Sequence, residues 1–325
     1  MRVVLIVNPT SGASMLTTHQ GTLEEHEEQM LTALRTRGLM PEIWHTTPGD
    51  AGTGLAQKAV AEGVEMVIAA GGDGTLHAVA NGLIHSNSAL GIIPIGTMNN
   101  IARSLSIPED IEEACAIIAH GKTTRIDVGK INGNIFLEVA GIGLEAALFP
   151  AAEEIKRHGV LSTMRGVLKG LAVLLTFQPT RFKIAFDNQH SLRYRAIQVS
   201  VCNSPYYGVH LQFAPNAVMD DGLLNVLLYR NFSKRDYLQH AISISQGVRS
   251  LEPRVMRRKI KMLYIEADPP VVVHADGEPI GQTPATIVVL PAVLHVRVPI
   301  EVAIGPNIMD SKRKRTHILQ QASMQ

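Results

Sequence analysis

The residues best able to do chemistry sit in small-polar loops that follow apolar runs. Gly71-Gly72-Asp73-Gly74-Thr75 follows Met66–Ala70 and opens a segment with apolar residues at helical spacing. Glycines at such a turn let backbone N–H groups approach a ligand closely, and a helix N-terminus carries partial positive charge, so an anion such as phosphate is the natural occupant. Thr75 can cap the helix or bond that phosphate. Asp73 is the odd member, because a carboxylate repels a phosphate unless a cation lies between them. It points to Mg2+ or a nucleotide hydroxyl, or more plainly to a capping aspartate in a tight turn. The pattern is neither GxGxxG, since His77 stands where the third glycine would fall, nor a Walker loop, since no Gly-Lys-Ser/Thr occurs. Asn8-Pro9-Thr10-Ser11-Gly12 follows Val3–Val7, and Gly96-Thr97-Met98-Asn99-Asn100 closes Leu90–Ile95. Three such loops after successive buried strands converge on one sheet edge, which is where open α/β sheets bind ligands, and together they read as a nucleotide cleft.

The elements that position these loops alternate strand and helix over the first 128 residues. Val3–Val7, Met66–Ala70 and Leu90–Ile95 are continuous apolar runs, as expected of strands buried on both faces of a parallel sheet. Leu23, Met30, Leu31 and Leu34 mark a helix that stops at Gly38, and another runs from near Asp50 to Glu62 before Gly63. Leu76, Val79, Ala80, Leu83 and Ile84 mark a third, and Ile111, Ala114, Cys115 and Ile118 a fourth. This is βαβα order, hence an open, mostly parallel α/β domain. From 129 to 291 the texture becomes short β runs separated by Asp187-Asn188, Asp220-Asp221-Gly222 and Asp276-Gly277, the pattern of an antiparallel β-sandwich domain. Helices interrupt it at Glu153–Leu175 and from Ser233, where Ser233 and Asp236 resemble a capping box. A strand near 292–304 returns to complete the first domain, and residues 306–325 read as a flexible basic tail carrying Lys312-Arg313-Lys314-Arg315.

Composition narrows the function classes. The chain has 325 residues, 46% hydrophobic and 18% charged, which fits two folded domains of roughly 100–200 residues each and excludes a disordered chain. A net charge of +1 and 4% aromatics leave no basic field or stacking platform for nucleic acid. Two cysteines, Cys115 and Cys202, suit a reducing compartment. No apolar stretch reaches the ~20 residues of a spanning helix, so a cytoplasmic protein, at most peripheral to a membrane, is expected. The 13 histidines show no paired ligand spacing, so His274 is expected to be a core or solvated histidine.

Taken in order, Asn8-Pro9 with Ser11-Gly12, the Gly71–Thr75 loop, Pro94 with Gly96-Thr97 and Asn99, Ala102-Arg103, and Asp276-Gly277-Glu278 resemble the diacylglycerol kinase and sphingosine kinase superfamily, in its bacterial-type soluble lipid kinases. The likeness spans roughly residues 1–300. It implies a nucleotide-binding α/β domain, a β-rich lipid-substrate domain and ATP in the cleft between them. By position it implies ATP contacts from Asn8, Pro9, Thr10, Ser11 and Gly12, from Thr46, from Gly71, Gly72, Asp73, Gly74, Thr75, Leu76 and His77, and from Thr97 and Glu278. Asp276 matches the proton acceptor, although Asp276-Gly277 by itself spells a type I′ hairpin turn. Residues 215–222 resemble a structural Mg2+ segment in which Asp221 and the carbonyls of Val218 and Leu223 are ligands. Asp73 and Asp127 remain to hold a catalytic Mg2+ through water. Two departures stand out: Ala13 where a basic residue is common, and Asn100 where an aspartate is common, although Asn100 still offers a carbonyl oxygen.

The expectation is an ATP- and Mg2+-dependent kinase acting on a lipid hydroxyl at a membrane surface, with a homodimer left open. An NAD kinase, which shares the glycine loop, and a nucleotide- or lipid-binding protein with weakened catalysis are the alternatives.

Overall fold

A computed structural model describes residues 1–10, 23–148, 151, 160–208, 212–246 and 254–300. Ser11 and Gly12, the start of the helix expected from Glu153, and the basic tail lie outside the described residues.

β1 (Val3–Val7) runs parallel to β2 (Glu42–His45) on one side and β3 (Met66–Gly71) on the other, with β4 (Ala89–Pro94) parallel beyond β3. The continuous apolar runs are explained by cover on both faces. Val3, Leu5, Val7 and Ile68 pack against Met30 and Leu34 of α1 (Leu23–Arg35) and Cys115 and Ile118 of α5 (Ile111–His120). Val4, Ile6 and Val67 face Ala56 and Ala59 of α2 (Thr53–Ala61) and Leu76, Val79 and Leu83 of α3 (Asp73–Leu83). Each buried aliphatic side chain of this kind contributes about 1.5–3 kcal/mol. The helix expected near Asp50 starts later, and its N-terminal amides are capped from outside it: Asp50 accepts from Gly54 N at 3.1 Å and Leu55 N at 2.9 Å.

β15 (Ala285–Val298) ties the two halves together. Its C-terminal part pairs parallel with β4 and its N-terminal part antiparallel with β12 (Met262–Asp268), while β5 (Lys122–Ile131) lies antiparallel along nearly its whole length. The runs Ile287–Leu290 and Val293–Val298 are therefore one strand, kinked where its register shifts between Leu290 and Leu294 and Ala292 takes φ 53°.

Beyond β12 the strands are antiparallel: β8 (Thr180–Phe186), β9 (Leu192–Cys202), β7 (Val139–Gly143), β13 (Val272–Ala275) and β14 (Glu278–Gln282), with β10 (Leu224–Arg230) and β11 (Met256–Ile260) branching from β9 and β6 (Asn134–Phe136) from β5. Phe136, Phe182, Phe186, Val201, Leu263 and Ile265 form the core of this sandwich. A separate layer packs Ile197, Leu227, Tyr229 and Phe232 against α6 (Val160–Thr176) and α7 (Lys234–Ser245). The Ser233–Asp236 capping box of α7 is present. β13 and β14 join through Asp276-Gly277 at φ 45° and 93°, the type I′ turn that the dipeptide spells.

Candidate active site

The three small-polar loops meet at the C-terminal edge of β1, β3 and β4. Asn8 folds into an Asx turn in which its Oδ1 accepts from Thr10 N at 3.0 Å, and its Nδ2 donates to Thr75 Oγ1 at 2.9 Å, tying the first loop to the second. Gly72 and Gly96 approach so closely that a Cβ on Gly96 would run into the Gly72 backbone. Asp73 joins the second loop to the third: its carboxylate accepts from Asn100 N at 3.1 Å and Ile101 N at 3.0 Å, capping the short helix α4 (Asn100–Ser104). Asn99, in the left-handed region at φ 51°, bonds back to both Gly96 N and Gly96 O. Asp73 is a capping aspartate, as its plainer reading held, but the helix it caps belongs to the neighbouring loop.

The second half of the molecule brings Asp276 to this edge. Its Oδ2 accepts from Leu137 N at 2.6 Å, and its Oδ1 from Glu138 N at 2.9 Å and Val139 N at 2.8 Å. His77 Nε2 on α3 lies 3.8 Å from Asp276 Oδ2 and 3.1 Å from Ile135 O. A carbonyl oxygen can only accept, so the ring carries its hydrogen on Nε2. Burial pushes the Asp276 carboxyl above the usual carboxylate range, against the pull of His77 and the three amides. The arrangement is a carboxylate held by three backbone amides, one helical turn from the glycine-rich loop.

Residues 2–131 match the diacylglycerol kinase catalytic domain, and residues 138–298 match the YegS C-terminal NAD kinase beta sandwich-like domain. The chain thus carries a diacylglycerol kinase catalytic domain followed by a YegS-type C-terminal domain. A curated diacylglycerol kinase of Bacillus subtilis is 29% identical over 307 residues, covering 93% of this chain and 98% of that protein. A Staphylococcus saprophyticus diacylglycerol kinase is 27% identical, covering 92% and 95%. The crystal structure of a diacylglycerol kinase from Bacillus anthracis superposes with a TM-score of 0.68 at 27% identity, covering 91% of this chain and 96% of that one. A yeast NADH kinase, at 12% identity and TM-score 0.50, shares the fold.

Within this cleft, the expected contact residues are not equally placed. Thr46 follows β2 at the same edge, buried, its N–H donating to Val7 O at 3.0 Å, whereas neighbouring Thr47 is exposed. Pro9, Thr10, Gly74 and Thr97 are exposed at the loop tips, and Glu278 is exposed two residues beyond Asp276. Leu76 is fully buried and its N–H donates to Gly72 O, so it builds α3.

The two expected metal groups separate. Asp127 is not gathered with Asp73: its Oδ2 accepts from Gly222 N at 2.6 Å and its Oδ1 from Ala292 N at 2.8 Å, at the kink of β15. Asp221 accepts from Leu223 N at 3.0 Å and pairs with Lys259 Nζ at 2.5 Å, so a lysine ammonium already faces the carboxylate expected to bind a structural Mg2+. Among the described residues no group of three acidic, histidine or cysteine side chains is gathered there.

Two acids, Glu138 buried and Glu145 half-buried, escaped the sequence reading. Glu138, 5% exposed, receives a hydrogen bond from Asn100 Nδ2 at 3.1 Å, and burial together with the charges of Asp73 and Asp276 holds its carboxyl well above the ordinary range. Its signal is a lone acid inside the apolar run Ile135–Ala140. Glu145 accepts from Gln198 Nε2 at 2.9 Å and lies 3.7 Å from His274 Nε2. Burial moves Glu145 up to about 7 and His274 down to about 3. His274, fully buried and stacked on Tyr207, is the core histidine expected.

Proposed function

We propose that this protein is an ATP-dependent lipid kinase that transfers the γ-phosphoryl group to a lipid hydroxyl, with Asp276 accepting the hydroxyl proton. The observation that carries the reading is the joining of the Gly71–Thr75 loop to Asp276 through α3: the loop opens the helix, and His77 of that helix reaches the carboxylate. The nucleotide would bind along Asn8, Thr46, Gly71–Thr75 and Thr97, with its phosphates on the loop amides and the α3 N-terminus. Asp276 orients the acceptor hydroxyl towards the γ-phosphorus. As the new O–P bond forms and the bridging bond to the β-phosphate breaks, the hydroxyl proton passes to the carboxylate. Such a transfer needs little base strength early, and a carboxyl already biased upward by burial takes the proton more readily at the end. Asp73, Asn100 and Glu138 bring oxygen donors to the cleft, a set that suits Mg2+, which when bound would neutralise phosphate charge.

The family relatives are named for diacylglycerol, which makes diacylglycerol the first acceptor to try. Among the described residues no helix is long and apolar enough to cross a membrane. The exposed Met164, Val167, Leu168 and Leu171 of α6 suit contact with a lipid surface. The test is transfer of labelled γ-phosphate from ATP to mixed micelles of diacylglycerol, long-chain base or phosphatidylglycerol, comparing the protein with Asp276→Asn. Labelled lipid from the parent and almost none from the variant is expected. Equal labelling by both would remove the Asp276 assignment, and labelled NADP from added NAD with no labelled lipid would replace the lipid reading.

A further inference from the structure

At the cleft, Asn100 Oδ1 is buried without a donor among the described residues, beside the Glu138 carboxylate. The Glu138 carboxylate is buried, and among the described residues the one hydrogen bond it receives is from Asn100 Nδ2. That amide nitrogen also donates to Gly208 O at 2.9 Å, which uses both of its hydrogens. Asn100, 2% exposed, buries its Oδ1 with no partner among the described residues. Rotating the amide end for end does not help, because Oδ1 would then face the Glu138 carboxylate and the Gly208 carbonyl, both acceptors.

The other acids of the cleft are differently placed. Asp73 is satisfied by the amides of Asn100 and Ile101, and Asp276 by those of residues 137–139. Buried acceptors without donors are costly unless something positive arrives. An oxygen-only pair of one carboxylate and one amide carbonyl selects a hard divalent cation such as Mg2+ or Mn2+ over a thiolate- or imidazole-seeking metal. Such an ion is commonly held by one or two carboxylates, with substrate phosphates and water filling the remaining positions, so two protein oxygens are enough beside a phosphate loop.

We propose that the Glu138 carboxylate and Asn100 Oδ1 are the protein's share of the divalent-cation site that accompanies the nucleotide. The proposal rests on the kinase reading above and moves the metal-holding role from Asp73 and Asp127 to Glu138.

The test is calorimetric titration of ADP into the full-length protein, in EDTA and then with Mn2+, for the parent, Glu138→Gln, Asn100→Asp and the double variant, alongside melting temperatures of the nucleotide-free proteins. ADP in EDTA gives the metal-free reference for each protein. Mn2+ is expected to tighten ADP binding to the parent, and Glu138→Gln to lose about 10–100-fold of the affinity for Mn2+. The double variant, which shifts the carboxylate across the 3.1 Å hydrogen bond from position 138 to position 100, is expected to recover most of it. Asn100→Asp alone sets two carboxylates face to face, so its metal-free melting temperature is expected to fall and to be restored by Mn2+, which a purely structural pair would not show. Undiminished Mn2+-dependent tightening in Glu138→Gln overturns the proposal, as does an Asn100→Asp variant that Mn2+ does not rescue. A parent protein that binds no ADP under either condition overturns the kinase reading itself.

Discussion

Asp276 and Asp127 are gripped in similar ways, each by backbone amides from distant parts of the chain, yet what lies beyond the two carboxylates differs. Asp276 faces His77 and the phosphate-type loop, in company with Glu138. Asp127 is sealed between the Gly222 and Ala292 amides, 2% exposed, with Asp220 and Asp221 as its charged neighbours. One carboxylate is presented to a cleft, while the other pins the kink of β15 to the 220–222 turn. An amide grip is thus shared by a carboxylate at the cleft and one at a strand kink, and a substitution series can separate the two cases.

The largest effect is expected at the cleft. Asp276→Asn keeps the shape of the side chain but cannot take a proton, and kcat is expected to fall by about 10²–10⁴-fold, typical of losing a positioned acid–base group. Asp127→Asn is expected to leave kcat of the folded protein close to the parent value. Steady-state kinetics on both variants checks this, and a comparable kcat loss at Asp127 would erase the distinction. The reciprocal measurement is stability. Asp127→Ala strands two buried N–H donors, each worth about 1–3 kcal/mol when unmet, so urea unfolding is expected to show a loss of roughly 2–6 kcal/mol.

A pH experiment sharpens the contrast from a third acid, the half-buried Glu145. Its folded carboxyl holds its proton to about 7 while the unfolded one loses it near 4.5, so its contribution makes stability fall as pH rises between those values, by about 3 kcal/mol in all. His274 acts with the opposite sign: neutral in the fold down to about 3 but protonated below 6.5 when unfolded, it costs stability as pH falls through that window. The two slopes oppose each other between 4.5 and 6.5. Glu145→Gln should therefore turn a nearly flat profile into one that climbs with pH up to about 6.5 and stays level above it. Denaturant midpoints from pH 4 to 8 decide the matter, and parallel profiles for variant and parent would show that Glu145 does not titrate in the fold.

How much of this was legible beforehand follows from the range of the interactions. β1 and β3 announce themselves because cover on both faces demands unbroken apolar runs, and the Ser233–Asp236 box because it is closed within four residues. The edge strand β2, Glu-Ile-Trp-His, pairs on one side with β1 and lacks such a run, so it went unread. Asp276-Gly277 was legible as a turn from local backbone preference, but its amide grip reaches 137–139 residues back along the chain, beyond any local pattern. The same holds for Glu138. Its type within an apolar run could have flagged it, while its partner Asn100 is 38 residues away and is supplied only by the closing of the two halves. For Asp127, expected to help hold a Mg2+ through water, the amides of Gly222 and Ala292 lie likewise far along the chain, 95 and 165 residues away.

The smallest effect concerns the other side of the comparison, where a lysine faces the carboxylate expected to bind a structural metal. Asp221 is 22% exposed and Lys259 43%, so their ion pair lies largely within reach of solvent. Such a pair contributes under about 1 kcal/mol and fades as salt rises. Lys259→Met is therefore expected to shift stability by less than that at low ionic strength and by nothing measurable in high salt. The same substitution uncovers Asp221 beside Asp220 and the neighbouring backbone carbonyls, and Mg2+ should then raise the melting temperature of the variant more than that of the parent. Measured in a Glu138→Gln background, which removes the proposed cleft site, any such gain belongs to Asp221. An identical Mg2+ response in both proteins would mean that the Lys259 ammonium is not what keeps a cation away from this carboxylate.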